Sequence, residues 1–304
     1  MNKLEELSAV SNHGQYLERM AKSSFFSTKQ NIPPIIASYG CKTVLDVGCA
    51  DGAFTKRIAD ETGAEVTGLD INSTSIELAK SKFPGINFIC SSLFDLEEDR
   101  MFDCIVFCSV LHEVSSYCAE EKIRYTDIPI RFTIERACKH LNPGGIIVIR
   151  EMVKQPGDER YTVEFKTKEY SDLFKKFTGI TKCDGNTWVN GPGGDFLPLT
   201  KTPGYVDYSA RYLDGNNAWL ISKDLLIEFL LVATWGKESW DRETKERKLI
   251  CKKQQFFSFL KDCGLAINSY TKTNEEYPKY WRKICHVFKK DCPETTCLIV
   301  AQKQ

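Results

Sequence analysis

Apolar positions in the first half of the chain follow two alternating rhythms. Thr43–Val47 is a short run of β-branched and apolar residues, and Ala53–Glu61 behind it repeats apolar positions at helical spacing. Glu65–Asp70 predicts a second strand, and the stretch SIELAKSKF after it predicts a helix with Ser73 or Thr74 as N-cap. Ile86–Cys90, Cys104–Cys108 and Ile146–Arg150 predict three more strands, the last one following the turn Asn142-Pro143-Gly144-Gly145. Strands that are apolar throughout, alternating with helices, predict an α/β fold: a mostly parallel sheet with helices on both faces.

After Arg150 the rhythm stops. Residues 152–248 carry polar turns, a helical stretch from Ser222 to Trp235, and four of the five tryptophans. The alternation resumes with QQFFSFLKDCGL as a helix ending at Gly264, then AINSYTK and TTCLIVAQK as strands. The expected organisation is a core in residues 1–151 with leading helices, an inserted lid or substrate region over 152–248, and a C-terminal part of the core over 249–304. Trp188, Trp219, Trp235 and Trp240, with Tyr205, Tyr208 and Tyr212, fit two readings equally: the lining of an acceptor pocket, or the insertion's own small core.

Composition removes several classes. The 41 basic and 41 acidic residues cancel, so no global field draws nucleic acid or an anionic membrane. Cysteine is abundant at 13, but the count is odd, no C-x-x-C occurs, and many thiols sit in apolar strand-like runs. Free buried thiols in a reducing compartment are expected, rather than disulfides or zinc. The first residues lack the pattern of a secretory signal, and the longest apolar run, Leu225–Trp235, is interrupted by Glu228 and too short to cross a bilayer. A cytoplasmic protein with no membrane partner is the expectation.

The candidate chemistry begins in VLDVGCADGAF, residues 44–54, where an apolar strand enters two glycines framed by Asp46 and Asp51. A strand–turn–helix of this kind places backbone N–H groups at the carboxyl edge of a sheet. The spacing is G-x-x-x-G, not the G-x-G-x-x-G of a dinucleotide turn. Two aspartates would repel a pyrophosphate, whereas S-adenosylmethionine, with an ammonium and a sulfonium against one carboxylate, is net cationic. Asp70 ends the second strand, where a carboxylate accepts both hydroxyls of a ribose.

Together with VTGLDI, INFICSSLFDL, FDCIVFCSVLHEV and LNPGGIIVIRE, this stretch resembles the class I S-adenosylmethionine-dependent methyltransferases over about residues 40–151 and the terminal strand pair. The resemblance implies a Rossmann-like, seven-stranded sheet with a large insertion after the fifth strand, and S-adenosylmethionine as cofactor. It implies that Asp46 and Gly48 hold the methionine end, and that Cys49, Ala50 and Asp51 in the same turn also bind the cofactor. Asp70 would take the ribose, Ile71 the adenine edge, Ser92 and Leu93 the adenine surroundings, and Cys108 would offer backbone near the methionine moiety. Two positions depart from the family pattern. Ala50 replaces a usual glycine, so its Cβ is costly if φ is positive, and Ser92 replaces a stronger acceptor.

His112 and Glu113 follow the fourth strand and are the candidate catalytic residues, His112 as a general base; the alternative is that His112 caps a helix or packs over the cofactor. Tyr16 and Met20 are candidates to fold over the donor, or to belong to a surface helix. The run Lys245-Glu246-Arg247-Lys248 with Lys252-Lys253 reads as a solvated helix face or an RNA contact. The expected function is methyl transfer to a small-molecule acceptor, with an RNA methyltransferase or a non-catalytic binding module as alternatives.

Overall fold

The structure, a computed structural model, describes residues 29–180, 189–190, 194–196, 209–213, 218–273, 277–288 and 295–304. Tyr16, Met20, Trp188, Tyr205 and Tyr208 lie outside the described residues. In chain order the first elements are α1 (Ile32–Ser38), β1 (Thr43–Val47), α2 (Ala53–Thr62), β2 (Glu65–Asp70), α3 (Ser73–Lys82), β3 (Asn87–Cys90), β4 (Phe102–Cys108), α4 (Leu111–Ser116), α5 (Ile128–Lys139) and β5 (Leu141–Met152). There follow β6 (Arg160–Phe165), α6 (Lys168–Thr178), β7 (Val189–Asn190), β8 (Ser209–Leu213), β9 (Ala218–Ser222), α7 (Lys223–Thr234) and α8 (Trp240–Glu243). The chain closes with α9 (Lys253–Asp262), β10 (Leu265–Thr273), α10 (Tyr277–Ile284), β11 (Cys285–Phe288) and β12 (Thr296–Lys303).

The chain divides into two compact units, Met1–Met152 with Lys253–Thr273 and Thr296–Gln304, and Val153–Lys252 with Asn274–Thr295. The first holds a seven-stranded sheet in the order β10-β12-β5-β4-β1-β2-β3, in which β12 alone runs against its neighbours. Its central strands read as continuous apolar runs because both faces are covered: Val44, Val106 and Val148 pack with Ile32, Ile36 and Ile58 of α1 and α2 on one side. Two local expectations are corrected. The N-cap of α3 is Asn72, whose side chain accepts the Ser75 N–H at 2.9 Å, in place of Ser73 or Thr74. The Asn142–Gly145 turn is spliced into β5, where the ladder with β4 jumps from Phe102↔Leu141 to Cys104↔Ile146.

The second unit has its own five-stranded antiparallel sheet, β11-β6-β9-β8-β7. Its core is aromatic. Phe174 meets Trp219 and Phe229 edge-on with ring centroids 5.1 Å apart, and Phe177 stacks on Phe196 at 4.4 Å. Trp219 and Trp240 are buried and Tyr212 packs on Trp219, so for these three the core reading holds. Every residue of α7 from Lys223 to Ala233 is buried, Glu228 included. That carboxylate accepts the Leu249 N–H at 2.8 Å and the Lys248 N–H at 3.0 Å, and burial pushes it up to about 7. The solvated-helix reading of the basic run is corrected in the same place: α8 ends at Glu243, and buried Lys248 pairs with Glu243 at 2.9 Å and with Glu246 at 2.5 Å.

Candidate functional site

Strand order in the large sheet reverses between β1 and β4, with β2 and β3 on one side and β5 on the other. The crevice at the carboxyl ends of such a pair is where open α/β sheets bind ligands. The turn Gly48–Gly52 leaves β1 here. Gly48 and Cys49 donate their N–H groups to the Leu69 carbonyl at 2.8 and 3.1 Å, which ties the turn to β2.

Asp70 extends the tie. Its Oδ2 accepts the Ala50 N–H and its Oδ1 the Asn72 N–H, both at 2.9 Å, so one carboxylate holds the turns after β1 and after β2 in a fixed relation. Ile71, next in the chain, is 37% exposed, an apolar surface beside that carboxylate. Because Asp70 pairs with Cys90 across β2 and β3, the segment after β3 leaves the same edge. There the Ser92 hydroxyl accepts the Phe94 N–H at 3.1 Å, and Leu93 is buried.

Asp46 is buried within β1 and accepts the Thr55 hydroxyl at 2.7 Å. Burial pushes its carboxyl up to about 6, against the hydrogen bond from Thr55 and the attraction of Lys29. Lys82 of α3 reaches Asp51 Oδ2 at 2.8 Å, so the second aspartate framing the turn is paired with α3. Burial pushes the Cys49 and Cys108 thiols up, which keeps both protonated. Cys108 ends β4 beside β1, and from there Ser109 (φ 59°) and Val110 cross over Gly48.

His112 is the second residue of α4 and does not cap it; the N-cap residue, Val110, offers no side-chain hydrogen bond either. The cap comes from Glu151, near the end of β5. Its Oε2 accepts the Leu111 N–H at 2.8 Å and the His112 N–H at 3.3 Å, and its Oε1 lies 2.9 Å from His112 Nδ1. Burial alone would raise Glu151, but the imidazole and the N–H groups of Met152 and His112 outweigh it and hold the carboxyl below the ordinary range. Glu113, half-buried in the first turn of α4, follows. Sequence reasoning missed Glu151, although a charged pair closing an apolar strand, Arg150-Glu151, was a visible signal.

A family model described as a methyltransferase domain matches residues 40–190. Phosphoethanolamine N-methyltransferase 1 of Triticum aestivum is 31% identical over 172 residues, 53% of this chain and 32% of that protein. A ubiquinone biosynthesis O-methyltransferase of Rickettsia akari is 27% identical over 110 residues, 35% of this chain and 38% of its own length. The chain thus spans about a third of the length of these curated relatives. The crystal structure of magnesium protoporphyrin IX methyltransferase from Synechocystis PCC 6803, with bound SAH, superposes with a TM-score of 0.51 at 13% identity, covering 99% of this chain and 98% of that one. At that identity it speaks for the fold alone. Residues 40–190 therefore match a methyltransferase domain, and the large sheet has the Rossmann-like fold of that solved methyltransferase.

The residues present fit S-adenosylmethionine as cofactor. A pyrophosphate would meet the carboxylates of Asp46 and Asp70, whereas an amino-acid ammonium and a ribose diol suit them. The structure also gives the departure at residue 50 a physical form, because Ala50 sits at φ 49° with its N–H held by Asp70. A left-handed alanine costs about 1–2 kcal/mol, offset in part by the looser unfolded chain a glycine brings. Ala50→Gly is expected to stabilise the protein by about 0.5–1 kcal/mol, seen as a rise of roughly 1–3 °C in melting temperature. A fall would mean the left-handed turn is not kept in solution.

Proposed function

We propose that the chain transfers a methyl group from S-adenosylmethionine to a small-molecule acceptor. The observation that carries this reading is the Asp70 carboxylate, which braces the turn after β1 at the reversal point of the sheet with buried Asp46 beside it. When bound there, S-adenosylmethionine supplies a methyl group already activated by its sulfonium. The chain has to orient donor and acceptor, keep water out, and accept the acceptor's proton.

Support for a small acceptor comes from the relatives, named for phosphoethanolamine and for ubiquinone biosynthesis, and from the zero net charge. An RNA acceptor has less support, since the basic run expected to dock it contributes buried, paired Lys248. Among the described residues no helix is long and apolar enough to cross a membrane. The eleven free cysteines there suit the reducing cytoplasm. Radiolabelled methyl transfer against fractionated cell extract tests the reading: label is expected in the metabolite fraction. Label confined to RNA or protein would replace the acceptor class. Failure to bind either S-adenosylmethionine or S-adenosylhomocysteine in calorimetry would leave only a binding module of the same fold.

Asp46 adds a pH dependence. Its pKa is about 6 in the folded chain against an ordinary 3.8, so between those values the native state holds the extra proton. This residue's contribution to stability is complete below the lower value and lost as pH rises through about 6. Donor binding runs the other way, because an ammonium prefers the ionised carboxylate. S-adenosylhomocysteine affinity is expected to rise roughly tenfold between about pH 5 and about pH 7, and the rise to vanish in Asp46→Asn. An unchanged slope in that variant would transfer the titration to another group.

A further inference from the structure

We infer that Thr55 is a positioning residue, whose buried hydroxyl donates to Asp46 and thereby keeps that carboxylate ionised for the donor's ammonium at neutral pH. The inference rests on the methyltransferase reading. Thr55 Oγ1 lies 2.7 Å from Asp46 Oδ2, and the two residues are shut off from solvent at 0% and 2% exposure. Removing the hydroxyl therefore leaves the carboxylate without that donor and with no bulk water to replace it.

The direction of this hydroxyl sets it apart within the chain. Thr62, Thr133, Thr178, Thr234 and Thr244 each give theirs to the carbonyl four residues back along a helix, at 2.6–2.9 Å. Thr55 is the third residue of α2, so the carbonyl four positions earlier belongs to Asp51, ahead of the helix. Its hydroxyl crosses to β1 instead.

An ionised carboxylate accepts hydrogen bonds and donates none, so a hydroxyl donor at this distance favours the charged form. Burial opposes it and pushes Asp46 up to about 6. Thr55 is the strongest of the groups that pull the other way; Lys29 also attracts the charge, and Asp70 repels it. The turn and β4 face Asp46 with the thiols of Cys49, Cys104 and Cys108, all pushed up by burial and so neutral. The hydroxyl thus decides whether Asp46 carries its charge near pH 7. Without it a pKa higher by about one to two leaves about half or more of the carboxyls protonated there, and a protonated acid does not attract an ammonium.

Two titrations check this, the first without ligand. In protein carrying ¹³C-labelled aspartate, the Asp46 carboxyl carbon is assigned by its loss in Asp46→Asn, and its chemical shift follows the proton. The wild-type midpoint is expected at about 6, and that of Thr55→Val about one to two pH units higher. Thr55→Ser keeps the hydroxyl and should stay within about 0.5 of wild type. Calorimetry with S-adenosylhomocysteine reads the consequence. Thr55→Val should bind about two- to tenfold more weakly than wild type at about pH 7, with the ratio returning toward one by about pH 8.5. The ligand's own ammonium titrates alike with both proteins and drops out of that ratio.

Thr55→Cys, a weaker donor of similar volume, should give an intermediate midpoint, which keeps the measurement open should Thr55→Val fail to fold. A midpoint within about 0.5 of wild type in Thr55→Val, or in Thr55→Cys where only that variant folds, overturns the assignment. So does an affinity loss in Thr55→Val that is the same at every pH, since a threonine that only packs would produce it. Wild type that binds neither S-adenosylmethionine nor S-adenosylhomocysteine overturns the donor reading instead, and the carboxyl titration still decides what Thr55 does to Asp46.

Discussion

Asp70→Ala is expected to weaken S-adenosylhomocysteine binding by roughly 10²–10⁴-fold, the largest single loss the geometry implies. Two charge-assisted hydrogen bonds to a ribose diol contribute about 1.5–3 kcal/mol each, and roughly 3–6 kcal/mol together sets that range. A second loss adds to it, since the same carboxylate holds the Ala50 and Asn72 N–H groups at 2.9 Å. Without it, Ala50 keeps its φ of 49° with no partner for its N–H, and the turn has less reason to stay formed. Asp70→Asn separates the two contributions. The amide oxygen can still accept one backbone N–H, but the charge and one acceptor are gone, so an intermediate loss of roughly 10–10²-fold is expected. Titration calorimetry, with circular dichroism to confirm the fold, measures both variants. An affinity within about threefold of wild type for Asp70→Ala would move the ribose away from β2 altogether.

The large sheet was legible in the sequence where local pattern and long-range packing agree. Thr43–Val47 and Glu65–Asp70 match β1 and β2 residue for residue, because strands buried on both faces are apolar from end to end. Legibility failed where a choice depended on partners far along the chain. Asn72, Ser73 and Thr74 are all competent caps, and only the backbone path decides which side chain reaches Ser75.

Lys248 looked like part of a solvated face because a sequence shows its charge but not Glu243 and Glu246 folding around it. The pairing of Asp51 with Lys82 of α3 was likewise out of reach of the sequence. The Arg150-Glu151 pair stood out in the local sequence, but the contacts of Glu151 did not: its partners, Leu111 and His112, lie 40 and 39 positions earlier. The turn itself could be read because its demands are backbone demands. The residue that orients the candidate base could not, because that demand belongs to the tertiary structure.

Gly48→Ala is expected to destabilise the protein by about 2–5 kcal/mol, and its cause can be tested by a second substitution. A Cβ on Gly48 would lie 2.4 Å from Val110 Cγ2 and 2.9 Å from Val110 Cβ, and φ there is +75°. Overpacking of this kind costs about 1–3 kcal/mol and the left-handed conformation about 1–2 kcal/mol. Val110→Ala removes the nearest methyl group but leaves its Cβ in place, so it should recover part of the packing cost and none of the backbone cost. A double-mutant cycle on denaturant-unfolding free energies should therefore show a favourable coupling of about 1–2 kcal/mol between the two sites.

The bare α-carbon lets the segment after β4 cross the turn after β1, and so brings the start of α4, with His112, to the edge where Asp46 and Asp70 stand. Zero coupling, or a Gly48→Ala cost below about 0.5 kcal/mol, would mean that crossing is loose in solution. The start of α4, which Glu151 caps, would then not be held over the turn after β1 by that crossing.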